Sequence, residues 1–193
     1  MPYVEANISM SLDGYITGPN LEEFPGLGEG GDILHAWLET EKRPMDLAIG
    51  EDRQIAGAVI TSRTVYEDTN GWGEDGFYHM PVFVVTHRKH KEVVKGDTTF
   101  TFVTDGVPAA IKLAAKAAGK KRVHIMGGAS IIQQALAAGL VDEVFLHIAP
   151  VVLSGGTKLF DHLGQLELEQ TEVIDSENVH HVRYKVKKPR VKK

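Results

Sequence analysis

Three short segments carry groups that could hold a phosphorylated nucleotide: Thr61-Ser62-Arg63-Thr64, Thr86-His87-Arg88 and Met126-Gly127-Gly128-Ala129-Ser130. Each ends an apolar run and opens a helix or loop. A helix N-terminus presents unpaired N–H groups at the positive end of its dipole and so favours an anion. Adjacent glycines let a pyrophosphate approach the backbone. Arginine grips a terminal phosphate with paired hydrogen bonds, and a 2′-phosphate would explain the two arginines. Each piece alone also reads as an ordinary strand-to-helix turn or a solvated arginine. Neither G-x-G-x-x-G nor a Walker P-loop occurs.

Other chemistries fit less well. The 193-residue chain has no cysteine, which excludes disulfides, thiolate catalysis and cysteine-held metals. Its nine histidines form no H-E-x-x-H pattern. His180 and His181 are neighbours on an expected strand and point to opposite faces. No G-x-S-x-G elbow is present, and no metal site is expected.

These segments need a scaffold, and the apolar pattern supplies one. Strands are expected at Val4 to Leu12, Gly57 to Thr61, Pro81 to Thr86, Phe100 to Thr104, Arg122 to Met126 and Val141 to Ile148. Helices are expected from Ser62 to Asp68, Val107 to Ala118 and Ala129 to Ala138, the last two closing at glycines. Asp32 can cap a short helix carrying Ile33, Leu34, Trp37 and Leu38 on one side. Glu167 to Ile174 and Val179 to Val186 read as a terminal hairpin. Alternating strands and helices followed by strands alone predict an α/β fold: a mostly parallel, doubly wound sheet with a C-terminal antiparallel hairpin. In such sheets ligands sit beyond the carboxyl ends of the strands, so parallel neighbours would set all three segments on one rim.

Composition bounds the rest. The chain is 42% hydrophobic and 24% charged, with a net charge of −5, as expected of one soluble globular domain. It lacks both an apolar run of about 18 residues and a secretory signal. A cytoplasmic protein with no membrane or nucleic-acid partner is therefore expected. One domain should span residues 1–187. The basic residues 188–193 end a run, Lys185 to Lys193, that reads as a solvated tail.

The quoted segments, in order, resemble the dihydrofolate reductase fold superfamily. The nearest branch holds the reductase domain of riboflavin-biosynthesis proteins and its stand-alone bacterial relatives. The resemblance rests on SMSLDGYITG (Ser9 to Gly18), GAVITSRTVYED (Gly57 to Asp68), PVFVVTHR (Pro81 to Arg88) and the run from Val123 to Phe160 with its P-x-x-L-x-G-G-x-x-L-F pattern. It implies hydride transfer from NADPH to a pterin-like or ribosylated pyrimidine substrate, by a protein that is commonly a homodimer. It further implies that Ser62, Arg63 and Thr64 hold phosphates, and that Thr86, His87 and Arg88 flank the adenosine ribose and its 2′-phosphate. Gly127, Gly128, Ala129, Ser130 and Ile131 would cradle the pyrophosphate, with a Gly–Gly bond that is often cis. Ser9 and Ile16 would border the nicotinamide. Ser62 replaces the usual glycine and Val65 a common threonine, while Leu34 stands where dihydrofolate reductases carry the protonating carboxylate. Asp13, Asp32, His35 and Trp37 are the remaining pocket candidates, under a lid from Thr17 to Gly31. Asp32 can instead cap a helix, and Asp13 can serve a turn with Gly14. His35 and Trp37 lie on different helix faces, so at most one should reach a ligand. The competing reading is a catalytically degenerate nucleotide-binding protein of the same fold.

Overall fold

Every expected strand forms, with ends shifted by one or two residues. They are β1 (Val4–Ser11), β2 (Ala56–Ser62), β3 (Pro81–Val85), β5 (Thr98–Val103), β6 (Arg122–Ile125), β7 (Glu143–Ala149), β8 (Leu168–Ser176) and β9 (Val179–Val186). The computed structural model describes residues 2–40, 56–176 and 178–187. It adds one strand, β4 (Val93–Lys95), which returns through Gly96 to pair antiparallel with β5. Three residues are too few to show alternation in the sequence. The sheet order is β4-β5-β3-β2-β6-β1-β7-β9-β8. Six neighbours from β5 to β7 run parallel, and the β8–β9 hairpin closes one edge antiparallel.

The two faces of β1 differ in kind. Val4, Ala6 and Met10 join a large apolar core with helices α3 (Val107–Ala118) and α4 (Ala129–Ala137). The alanine-rich inner face of α3 lets it approach the sheet closely. At Gly57 of β2 an added Cβ would stand 2.8 Å from the Ala118 Cα. The opposite face of β1 presents Glu5, Asn7, Ser9 and Ser11.

Glu5 is fully buried at the centre of that face. The Arg122 and Arg183 guanidinium groups each donate to its Oε2 at 2.7 Å, and His124 Nε2 lies 2.5 Å from its Oε1. Both arginines also reach Glu143, at 2.8 and 3.0 Å. Burial alone would raise the Glu5 pKa, but the hydrogen bond from His124 and the charges of His124 and Arg183 hold it well below the usual carboxylate range. Further along this face, His147 Nε2 meets Asn7 Oδ1 at 2.9 Å, and its Nδ1 lies 2.6 Å from His181 Nδ1. Asn7 Oδ1 only accepts, so His147 carries its proton on Nε2 and accepts from His181 Nδ1–H. His181 is buried while His180 faces outward, as the strand alternation requires.

Trp37 lies against His147 and His181, at ring separations of 4.7 and 4.8 Å. It begins α1 (Trp37–Thr40), which follows a 3-10 turn over Gly31–His35. The one-sided helix expected here does not form. Gly30, in a left-handed conformation, occupies the cap position and Asp32 falls in the first turn. Leu34 and Trp37 are buried, but Ile33 and Leu38 are exposed, because the 3-10 turn changes the residue spacing.

The segment before this turn is stitched down by backbone. Gly18 N donates to Leu27 O at 2.7 Å and Glu29 N to Pro19 O at 2.8 Å. At Gly18 and Gly156 an added Cβ would lie 1.9 Å from Glu29 O and 2.1 Å from Thr17 O respectively. The basic tail at 188–193 lies outside the described residues. Among the described residues no helix is long and apolar enough to cross a membrane.

Two measurements check the polar face. Glu5→Leu should cost about 3–5 kcal/mol in denaturant unfolding, because it leaves the arginines short of a buried partner. A loss under about 1 kcal/mol would mean the carboxylate is dispensable. The histidine pair makes stability depend on pH. Burial and the charge of His181 hold the His147 pKa well below its ordinary value; burial, His180 and Arg183 lower that of His181 to about 4. Between about pH 6.5 and 4 the unfolded chain therefore binds more protons than the folded one, so stability falls as pH falls, by at most about 1.4 kcal/mol per pH unit per histidine. Urea unfolding across that range should show this slope, and His181→Asn should lessen it while the part owed to His147 remains.

Candidate functional site

The carboxyl ends of β3, β2, β6 and β1 are consecutive along the sheet, so the three chemistry-bearing segments do share one rim. A cavity of about 750 Å³ opens there. Its floor is Met126, Gly127, Gly128, Ala129 and Ser130, where β6 turns into α4. One wall is α2 (Arg63–Asp68) with the residues that follow it, and the other is formed by Leu21, Pro25, Gly26 and Leu27. The lid expected from Thr17 to Gly31 thus supplies the second wall.

The floor fits an anion. Gly127 has φ +138°, which only glycine adopts readily, and the Gly127–Gly128 peptide is cis. The first turn of α4 has no side-chain cap. An added Cβ on Gly128 would stand 3.6 Å from Ser62 Oγ and 3.8 Å from a Val65 methyl, both on cavity residues. The absent side chain leaves room there for a ligand. Ser62 caps α2, its Oγ accepting from Val65 N at 3.2 Å. The serine that replaces the family's glycine therefore takes over a backbone donor of that short helix.

The expected residues divide in position. Ser9, Ile16, Ser62, Thr64, Gly127, Gly128, Ala129 and Ser130 line the cavity, as do Asp32 and His35. Burial lowers the His35 pKa, while Asp32 acts in the opposite direction, so the imidazole is neutral near neutral pH. Arg63 lies outside the cavity, its Nη1 donating to both Glu67 carboxylate oxygens at 2.6 and 2.8 Å. Such an exposed i,i+4 pair is worth only about 0.3–0.5 kcal/mol and yields readily to a phosphate. Thr86, His87 and Arg88 sit on the rim beside the cavity. Thr86 is buried, with its hydroxyl accepting from Arg88 N at 3.1 Å, and the other two are exposed. Ile131 faces the core beneath α4.

Two further pocket candidates have structural roles. Asp13 lies outside the cavity. Its Oδ1 accepts from Ser11 Oγ at 2.6 Å and Leu153 N at 3.1 Å, and its Oδ2 from Ser154 N at 2.8 Å. It therefore ties the end of β1 to the segment after β7. Trp37 does not reach the cavity either: its indole N–H donates to Ser9 Oγ from below at 3.2 Å. His35 alone of that pair meets the ligand space.

Asp68, Thr69, Trp72 and Thr157 line the cavity without having been anticipated. The only hint in the sequence is Gly71-Trp72-Gly73, an aromatic residue between two glycines.

With this geometry in place, a family model described as the RibD C-terminal domain matches residues 2–182. No curated protein matches the chain significantly. Among solved structures, a Shewanella sp. PV-4 protein ascribed to riboflavin biosynthesis is 23% identical, with a TM-score of 0.76, covering 96% of this chain and 99% of that one. The Saccharomyces cerevisiae riboflavin biosynthesis reductase Rib7 is 10% identical, with a TM-score of 0.65 and coverage of 96% and 90%. Enterococcus faecalis dihydrofolate reductase, solved with NADP(H), is 13% identical, with a TM-score of 0.60 and coverage of 96% and 97%. At these identities the structural likeness establishes the fold.

Proposed function

The chain belongs to the RibD C-terminal domain family and is an oxidoreductase of the riboflavin-reductase type; from that premise we propose that NADPH is its cofactor and that a small pterin-like or ribosylated pyrimidine is its substrate. The observation that carries the reading is the open Gly127–Gly128 floor, set at the uncapped start of α4 beside Ser62 and Thr64. Bound NADPH supplies the hydride.

The chain's own residues bind, orient and exclude water. Backbone N–H groups from Gly128 to Ser130 and the Ser62 and Thr64 side chains hold the pyrophosphate. Arg63, released from Glu67, joins Thr86, His87 and Arg88 around the ribose and 2′-phosphate. Ser9 and Ile16 border the nicotinamide, and the Leu21 to Leu27 wall keeps the ring side dry. Asp32 and His35, both lining the cavity, take the part of proton delivery to the substrate. Leu34 is fully buried and has no acid to offer, which sets this site apart from a true dihydrofolate reductase. The same assignment carries a cytoplasmic homodimer, and a light-scattering mass equal to one chain would overturn the dimer.

Fluorescence titration should give a micromolar or tighter NADPH affinity, and no binding by about 1 mM would end the proposal. Gly128→Ala should weaken NADPH by about tenfold, roughly 1.4 kcal/mol, with little change in melting temperature, since its methyl group meets only ordinary contacts in the free protein. NADPH binding with no turnover on either substrate class would instead favour the degenerate, binding-only reading.

A further inference from the structure

Trp72 is held at the cavity by more structure than packing alone requires. Its φ is +54°, an unusual backbone conformation for a bulky residue, and it lies between Gly71 and Gly73, both also at positive φ. The Lys95 ammonium donates to the carbonyls of Asn70, Gly71 and Gly73 at 2.6, 3.3 and 2.8 Å, closing the loop around the tryptophan. Gly71 has no room for a side chain, since an added Cβ would be 2.8 Å from Lys95 Nζ and 2.9 Å from the Tyr66 ring. The indole lies parallel to Phe100, within 3° at a centroid distance of 6.2 Å, and meets Tyr78 edge-on at 5.1 Å. Backbone strain, an ion-capped loop and a ring stack together fix one indole at a ligand cavity. Strain of this kind persists only where its surroundings overdetermine it, and such positions cluster at ligand clamps.

Position along α2 separates this indole from the phosphate end. The helix has six residues, so Thr69 at its end lies about 9 Å or more beyond Ser62 at a rise of about 1.5 Å per residue. Trp72 sits in the turn that follows, its N–H donating to Thr69 O at 2.9 Å. We propose that Trp72 is the stacking platform of a substrate-specificity subsite that takes a planar, unsaturated nitrogen heterocycle. Asp68 and Thr69, on the same wall, supply oxygens that can meet N–H groups at the ring's edge. Lys95 is the positioning residue that holds the platform. The inference rests on the reductase reading of the cavity and adds to it the residue on which the substrate ring stacks and the lysine that holds that residue.

Calorimetric titration of the full chain with two probes tests the subsite: NADPH alone, and pterin added at saturating NADP⁺. Trp72→Leu should weaken pterin about tenfold or more, as loss of a stacked aromatic partner does, while leaving NADPH affinity within about twofold. Trp72→Phe should retain most of the pterin affinity. Lys95→Met, which leaves the ring intact, should reproduce the selective loss and serves in place of Trp72→Leu if that variant does not fold. Equal weakening of NADPH and pterin would give the indole to the cofactor and overturn the proposal. So would unchanged pterin binding in Trp72→Leu, or no pterin binding by the unmodified protein. Absence of NADPH binding, read before pterin is added, would instead remove the reductase reading itself.

Discussion

A carboxylate with no access to water sets the terms for the centre of this sheet. Glu5 is ionised and enclosed, and its partners arrive from β6 and β9, while Glu143 on β7 shares the same arginines. Apolar contacts tolerate sliding; a buried charge bound through particular N–H groups does not. A two-residue slip of β6 against β1 would preserve the inward and outward alternation but carry Arg122 and His124 away from Glu5. The ion cluster therefore selects one register among those that the hydrophobic pattern allows. Register between β1 and β6 decides where Gly127, just past the end of β6, meets the rim beside Ile8. Gly127 is tied to β2 separately, through Ser62 N–H donating to Gly127 O at 3.0 Å.

From that alignment the rim acquires a polarity. Two helices begin beside the Gly127–Gly128 floor, with their N–H groups toward an anion, while the far end of the α2 wall carries Asp68 and an indole. One end suits phosphate and the other a flat ring. Asp13 and Trp37 serve this arrangement from outside it. The first fastens the end of β1 to the segment after β7, and the second holds the Ser9 hydroxyl from the sheet side.

Much of this was legible in the sequence. Strands read correctly where long apolar runs met glycines, and the rim that Gly127 and Gly128 share with Ser62 and Thr64 was visible because each of those segments ends such a run. The wrong readings came where local pattern and tertiary packing conflict. Asp32 was expected to cap, but Gly30 could take the left-handed cap position without a steric cost. Ile33 and Leu38 were expected to pack, but a 3-10 turn moved them off the buried side. Trp72 went unnoticed because its placement depends on Lys95, 23 residues later, and on a strand of only three residues. The Glu5 cluster was equally hidden, since an acidic residue in a strand gives no sign of which distant arginines will enclose it.

The crossing of Gly18 with Gly156 bears on how molecules enter and leave. A strap whose base is backbone pressed on backbone cannot swing as a rigid flap, because its hinge has no free volume. Movement is left to the tip around Leu21 to Pro25, where side chains are exposed and the ties are few. Traffic through the mouth would then follow the fast breathing of a short loop, on nanosecond to microsecond timescales, instead of a slow domain closure. On that footing the residence time of a bound molecule is governed by its own contacts with the floor and walls, the strap's Leu21, Pro25, Gly26 and Leu27 among them.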